Sequence, residues 1–173
     1  KLFDPGQWRS ALLATLIGAL LGAVIAHWMP AAWLNQMLPA VVFACGLYLL
    51  FGRMPEAPTE QNLPIARGRQ WPQGLGLGFY DGVAGPGTGA FWTVSSLLMY
   101  PLDLVRASGV ARTMNFVSNA AALAVFIAFG QVAWVLGLSM GAALMVGAFL
   151  GARTAIKGGS KFIRPVFILV VLA

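Results

Sequence analysis

One cysteine, Cys45, and one histidine, His27, are all that this 173-residue chain offers to disulfide or soft-metal chemistry. A lone cysteine excludes an intramolecular disulfide, and a lone histidine excludes the His-Glu-x-x-His zinc motif. The Gly-x-x-x-x-Gly-Lys-Ser/Thr phosphate loop is missing too, which argues against a directly ATP-driven pump. No cofactor and no metal are expected, and no enzymatic activity. Charge is equally scarce: five acids and eleven bases leave charged residues at 9% of the chain.

What fills the chain instead is apolar. Hydrophobic residues make up 59%, far above an ordinary soluble domain. A helix needs about 20 apolar residues to cross about 30 Å of hydrocarbon. Residues 10–52 carry no formal charge with His27 neutral, residues 113–152 carry none at all, and each stretch is two spans long. Breaks at Pro30 and at Gly130-Gln131 divide them into helices expected at 11–28, 34–51, 108–129 and 132–152. A further helix opens at Pro165 and is cut short at Ala173, so the chain is expected to be truncated there. The partner of the lipid bilayer is thus the whole length of the chain. Its net charge of +6 sits between the spans, which points away from nucleic acid. Homo-oligomerisation is left open.

Between Gly82 and Gly89 the sequence reads Gly-Val-Ala-Gly-Pro-Gly-Thr-Gly, in the middle of an apolar run. Glycine and proline at that density end a helix, and a helix broken at membrane depth is tolerated where it lines a polar path. Charge parity shapes the reading. Positive residues mark cytoplasmic loops, and they cluster at Arg53, Arg67 and Arg69 and again at Arg153, Lys157, Lys161 and Arg164. A single crossing between Arg69 and Arg106 would put the clusters on opposite sides. A re-entrant hairpin of two half-helices, 74–83 and 88–99, keeps both in the cytoplasm; the alternative is a kinked single span that violates the rule.

An internal repeat agrees with the hairpin. Gly18-Ala19-Leu20-Leu21-Gly22-Ala23 returns as Gly147-Ala148-Phe149-Leu150-Gly151-Ala152, and the Leu38-Pro39 helix start resembles Arg164-Pro165. The charge-based topology makes these repeats inverted, a common plan of secondary transporters; chance similarity between small-residue packing helices is the competing explanation. The expected organisation is all-α, a polytopic transmembrane bundle with inverted repeats. Residues 1–52 hold the last two helices of the first repeat, 53–72 a cytoplasmic loop, and 73–173 the second repeat. The partner of the hairpin would precede residue 1.

Few polar groups remain inside. Asp81 lies about 12 Å along the first half-helix, where a charge is normally paired or hydrated. Three roles are open to it: carrying a proton, pairing with a base such as Arg112, or bonding the loop amides structurally. Asn115, Ser118 and Asn119 share one helix face, either to meet the hairpin tip or to bond a neighbouring helix. Arg112 opens that helix, either drawing in an anion or snorkelling to the interface. Gly85, Gly87, Thr88 and Gly89 precede the second half-helix, whose N-terminus favours anions. Together they suit a small anionic solute. His27 reads as an interfacial anchor and Cys45 as packing.

Gly78-Phe79-Tyr80-Asp81-Gly82, Gly85-Pro86-Gly87-Thr88-Gly89, Asn115 with Ser118-Asn119, the Gly147–Ala152 element and Lys161-x-x-Arg164-Pro165 together resemble the second half of the TauE/SafE family. The resemblance implies a multi-pass bacterial inner-membrane permease or exporter for sulfite, organosulfonate or related sulfur-containing or carboxylate anions, working by secondary alternating access. It places substrate contacts at Gly85, Gly87, Thr88, Gly89, Arg112, Asn115, Ser118 and Asn119, with Asp81 coupling or structural. Val83-Ala84 stands where relatives often carry a bulkier aromatic pair, which bears on pocket size. The rival reading is a non-transporting membrane scaffold or accessory subunit.

Overall fold

The inner face of the first helix is made of small residues. In the computed structural model, which describes residues 5–30, 32–33, 36–37, 39–40, 43 and 67–172, α1 runs Arg9–Trp28 and buries Ala11, Ala14, Thr15, Gly18, Ala19, Gly22, Ala23 and Ala26. That spacing is one face of a helix. The bulky residues point away: Leu13, Ile17, Leu21, Ile25 and Trp28 are exposed. Such a helix would be inside out in water, but it suits lipid, where helices associate by close packing of small residues rather than by hiding apolar ones.

The partner of that face is α2, Arg67–Val83, which presents Gly74, Gly78 and Gly82 to it at every fourth position. A Cβ on Gly78 would stand 2.5 Å from the Thr15 carbonyl oxygen, and one on Gly18 would stand 2.5 Å from that of Leu75. Gly22 against the Phe79 carbonyl and Gly82 against that of Ala19 are closed in the same way. The two backbones touch along nearly their whole length.

A four-residue turn separates α2 from α3, Thr88–Met99, and α4, Leu104–Ala128, follows after Asp103. The Asp103 side chain accepts the Arg106 amide at 2.8 Å, an N-cap that satisfies one of the orphan donors of the helix. Trp92, Leu97, Tyr100, Ala107, Val110, Ala111 and Met114 from these two helices form the core with Trp8 and Ala11. Side chains from α2 then fasten the ends. Gln70 accepts the Ala11 amide at 3.2 Å and donates to the Gln7 carbonyl at 2.8 Å, which caps α1 in place of a side chain of its own. Gln73 donates to Ser95 Oγ at 2.7 Å and accepts from the Tyr100 hydroxyl at 2.9 Å. Burial pushes the Tyr100 phenol up to about 12, against the opposing pull of Arg69, so it stays a donor. At the opposite end of the unit His27 stacks on Phe129 at 3.9 Å, joining the last turns of α1 and α4.

Residues Gln131–Ala173 make a second compact unit, containing α5, Trp134–Leu172. Among the described residues, three helices are long and apolar enough to cross a membrane: Arg9–Trp28, Val105–Ala128 and Trp134–Gly151. All described elements are helical, so the expectation of an all-α transmembrane bundle holds.

Some boundaries differ from the sequence reading. The first half-helix begins at Arg67 rather than 74, inside the segment expected to be loop, and it runs through Trp71-Pro72. Pro72 sits in the second turn and forfeits only its bond to the carbonyl of Gly68, an exposed residue whose oxygen can be hydrated. The helix expected at 108–129 starts at Leu104 because Asp103 caps it. The loop expected between 152 and 165 is helical, and α5 continues unbroken for 39 residues. Glycine weakens a helix by about 1 kcal/mol without forcing a turn, and Gly158-Gly159 are flanked by helix-tolerant Ile156-Lys157 and Lys161-Phe162. The helix expected at 34–51 and the loop to residue 66 fall outside the described residues, isolated positions aside.

Gly78→Ala is expected to destabilise the protein by about 1–3 kcal/mol through overpacking against a backbone that cannot yield. Gly76→Ala, where a Cβ meets nothing within 4 Å, is expected to stabilise it by up to about 1 kcal/mol through helix propensity. Thermal unfolding followed by tryptophan fluorescence in detergent checks this; equal midpoints for the two variants would refute the backbone contact.

Candidate functional site

The turn between α2 and α3 is built from two left-handed glycines around a proline. Gly85 has φ of 83° and Gly87 of 81°, a region that glycine enters without steric cost. The amides of Ala84 and Gly85 both bond the Tyr80 carbonyl, at 2.8 and 3.3 Å, which ends α2. Gly87 then opens α3 with no side chain to cap it. Tyr80 straps the turn from below, its hydroxyl donating to the Pro86 carbonyl at 2.5 Å, with its ring edge-on to Phe91 at 5.6 Å.

Asp81 lies under this turn, partly buried. Its Oδ1 accepts the Thr88 hydroxyl at 2.8 Å, and its Oδ2 accepts the Ser118 hydroxyl. Thr88 and Ser118 are each only 1% exposed. One carboxylate therefore ties three helices together: α2 through itself, α3 at its first residue and α4 near its middle. The hydroxyls have further acceptors. Thr88 Oγ1 is 2.6 Å from the Gly85 carbonyl, and Ser118 Oγ is 3.0 Å from that of Met114 and 3.1 Å from that of Asn115. A Cβ on Gly85 would reach 3.5 Å from Asp81 Oδ1, so the turn itself lies against the carboxylate.

Of the residues expected to form the site, the structure gathers Asp81, Gly85, Thr88 and Ser118. Gly87 and Gly89 flank Thr88 in the chain. Asn115 is partly buried, and its carbonyl receives the Asn119 amide group at 2.7 Å; Asn119 is exposed and folded onto its own helix. Arg112 is exposed and makes no ion pair among the described residues, where Arg106–Asp103 is the one recorded. Asp81 thus has hydroxyl partners, not the Arg112 charge. Sequence reasoning missed Tyr80, whose signal is a tyrosine six residues before the turn proline. It also missed the fully buried Trp92, whose indole Nε1 has no hydrogen-bond partner among the described residues, one helical turn past Thr88. Gly137-Leu138-Ser139-Met140-Gly141 matches the spacing of a hydrolase nucleophile turn, but it lies inside α5 with Ser139 donating to the Leu136 carbonyl. The strand-to-helix elbow which that motif requires is absent there.

Over residues 1–173 the chain matches the family described as "Sulfite exporter TauE/SafE". It belongs to the TauE/SafE family. Among relatives, it is 36% identical over 166 residues to "Probable membrane transporter protein ORF9" of Sinorhizobium sp, covering 93% of this chain and 62% of that protein. It is 33% identical over 159 residues to a "Probable membrane transporter protein" of Haemophilus influenzae, covering 91% and 62%. It is 33% identical over 172 residues to "Probable membrane transporter protein YfcA" of Escherichia coli K12, covering 98% and 63%. The chain therefore spans less than two thirds of the length of these TauE/SafE relatives. No solved structure matches it. Family and relatives are named as membrane transporters rather than enzymes.

Tyr80→Phe removes the strap without disturbing packing. Loss of one hydrogen bond, about 1 kcal/mol net, is expected to speed amide hydrogen exchange at Gly85, Gly87 and Thr88 by about fivefold while leaving α1 unchanged. Unchanged exchange in the turn would show that the strap does not hold it.

Proposed function

We propose that this protein is a multi-pass permease of the bacterial inner membrane, exporting small anions such as sulfite, organosulfonates or related sulfur-containing or carboxylate anions. The observation that carries this reading is the broken helix pair α2–α3. Asp81, in the last turn of α2, bonds the first residue of α3 and the buried Ser118 of α4 within a chain of a transporter family. Irregular backbone at membrane depth is stable where it lines a cavity, and half-helix ends beside unwound glycines are the usual substrate ends of secondary transporters. In this reading α2 and α3 enter and leave from the cytoplasmic side as a re-entrant hairpin, the two repeats are inverted, and alternating access proceeds around the tip.

Residue roles follow from placement. Gly85 and Thr88 shape the turn that presents the start of α3, and Gly87 and Gly89 bring main-chain amides there to the anion. Ser118 and Asn115 supply side-chain contacts across from them. Arg112, exposed on α4 about 9 Å along the helix from Ser118, draws anions toward the site, and Asn119 borders it. Asp81 fixes the architecture that these groups share.

Radiolabelled sulfite efflux from proteoliposomes holding the full-length protein tests the reading. Thr88→Val and Ser118→Ala are expected to lower flux about tenfold or more, each losing a charge-assisted hydrogen bond worth about 1.5–3 kcal/mol. Arg112→Ala is expected to lower it less, with a deficit that shrinks as salt rises. Absence of flux for sulfite, sulfonates and carboxylates alike, together with one stable protein partner, would favour a scaffold or accessory subunit instead.

A further inference from the structure

The hydroxyls of Thr88 and Ser118 each have one proton and more than one acceptor. Thr88 Oγ1 lies between Asp81 Oδ1 at 2.8 Å and the Gly85 carbonyl at 2.6 Å. Ser118 Oγ lies between Asp81 Oδ2 and the carbonyls of Met114 and Asn115. With Asp81 ionised, both hydroxyl protons point to the carboxylate, and the 2.6 Å contact with Gly85 then sets two oxygens together with no proton between them. With Asp81 protonated, its own O–H donates to one hydroxyl, which turns and donates to its backbone carbonyl. Every oxygen is satisfied in that second arrangement. A hydroxyl both donates and accepts, so it serves either state.

A metal cation does not fit the same oxygens. An oxygen cage holds its ion at about 2.3–2.6 Å, which sets neighbouring ligands well over 3 Å apart. Oxygens at 2.6 and 2.8 Å have room for a proton only.

Among the described residues the surroundings offer no other charge to take the proton. Toward Asp81, α1 offers Gly18, Ala19, Gly22 and Ala23, and its titratable side chains are Arg9, in the first turn at the other end, and His27, stacked on Phe129 in the last turn. On α3 the neighbouring buried side chains are Thr88 and Trp92. On α4 they are Ser118 and Met114, with Arg112 exposed and unpaired among the described residues. Asp103, the other acid in the described helical unit, is engaged with Arg106.

We propose that Asp81 is a proton-exchange site whose two states are held by the Thr88 and Ser118 hydroxyls, and that its charge decides when the tip accepts an anion. Uptake forms the Asp81 Oδ–H bond with a proton from water; release returns it. An ionised Asp81, bonded to the first residue of α3, is itself the anion at that helix N-terminus and repels a second one. A protonated Asp81 leaves the amides of α3 to the solute. Proton and anion then occupy the site together and leave together. This linkage rests on the anion-transport reading; the proton exchange at Asp81 stands on the geometry alone.

Two measurements on the full-length protein in lipid separate those parts. Infrared difference spectra across a pH series, without any anion, are expected to show a carboxylic-acid C=O band that Asp81→Asn abolishes and that Thr88→Val and Ser118→Ala shift in frequency. Carboxyl-labelled aspartate shows that the band belongs to an aspartate, and Asp81→Glu, which keeps the acid, is expected to retain a carboxylic-acid band that the label no longer shifts, so the assignment does not rest on Asp81→Asn alone. No Asp81 band change at any accessible pH would overturn the proton site. Binding of methanesulfonate, whose charge is fixed over the range, is then followed by tryptophan fluorescence. Affinity is expected to rise about tenfold or more as pH falls in the wild type, and to stay high and pH-independent in Asp81→Asn. Binding with no pH dependence in the wild type, or with the same dependence in the variant, would overturn the linkage while leaving the anion site. No binding at any pH beside a titrating Asp81 band would remove the anion site and with it the linkage, leaving the proton site in place.

Discussion

Everything in the helical unit up to Gly130 depends on how closely the backbones of α1 and α2 approach. Lipid gives two helices no hydrophobic reason to associate, so contact must come from packing and from hydrogen bonds. Small residues on both sides allow it: Ala11, Thr15, Gly18 and Gly22 meet Gly74, Gly78 and Gly82 with carbonyl oxygens where a Cβ would have to be. This seam fixes α2 over most of its length. The end of α2 is therefore rigid, and the turn that follows starts from a set position and direction. Leucine and isoleucine, displaced from the seam, make up the outer face of α1 that meets the hydrocarbon.

The other side of α2 is polar, and the division of faces explains the rest. Gln73 and Asp81 reach α3 and α4 there, Gln70 on the seam side reaches the start of α1, and the three satisfy groups that helix ends would otherwise leave bare, each costing several kcal/mol in lipid. Gln70 serves the start of α1, Gln73 the region where α3 ends, and Asp81 the region where α3 begins. Arg69 adds a bond to the Met99 carbonyl, at the negative end of α3. A single helix thus carries an apolar seam for position and a polar ladder for its neighbours. Gly85 and Gly87 can adopt their left-handed conformations because both flanks of the turn are already held.

Much of this was legible in the sequence, and the reasons differ by element. Gly85-Pro86-Gly87 gave the break to within a residue because proline and paired glycines leave a helix no continuation. The face shared by Asn115, Ser118 and Asn119 was readable from periodicity, yet one step along a helix turns a side chain by 100°. Ser118 reaches Asp81, and Asn119 next to it is exposed. Periodicity names a face but not which member of it touches a particular atom. The start of α2 at Arg67 was not read from the sequence, because Pro72 is its sixth residue and a proline there ordinarily costs a helix one of its bonds. Gly74-x-x-x-Gly78-x-x-x-Gly82 was the missed signal, since glycines read as breakers become binders once a facing helix supplies Thr15 and Ala19. The partner of Asp81 was not legible at all. Thr88 and Ser118 lie 7 and 37 positions away, and only the packing of α4 on the tip selects them over Arg112.

That selection has a physical consequence of its own. An arginine beside Asp81 would stabilise one charge state and resist the other, and taking a buried pair apart leaves an uncompensated charge at a cost of several kcal/mol. Hydroxyls impose no such preference, because each can turn between the carboxylate and a carbonyl of its own backbone. Thr88 turns toward Gly85, in the hairpin turn itself; Ser118 turns toward Met114, whose sulfur receives the Thr15 hydroxyl from α1 at 3.7 Å. A change at one carboxyl oxygen is thereby felt on one side by the turn between α2 and α3 and on the other by the seam of α1 and α2. The pairing of an acid with two alcohols, rather than with the available base, makes Asp81 a joint that can change state without unfastening the three helices it connects.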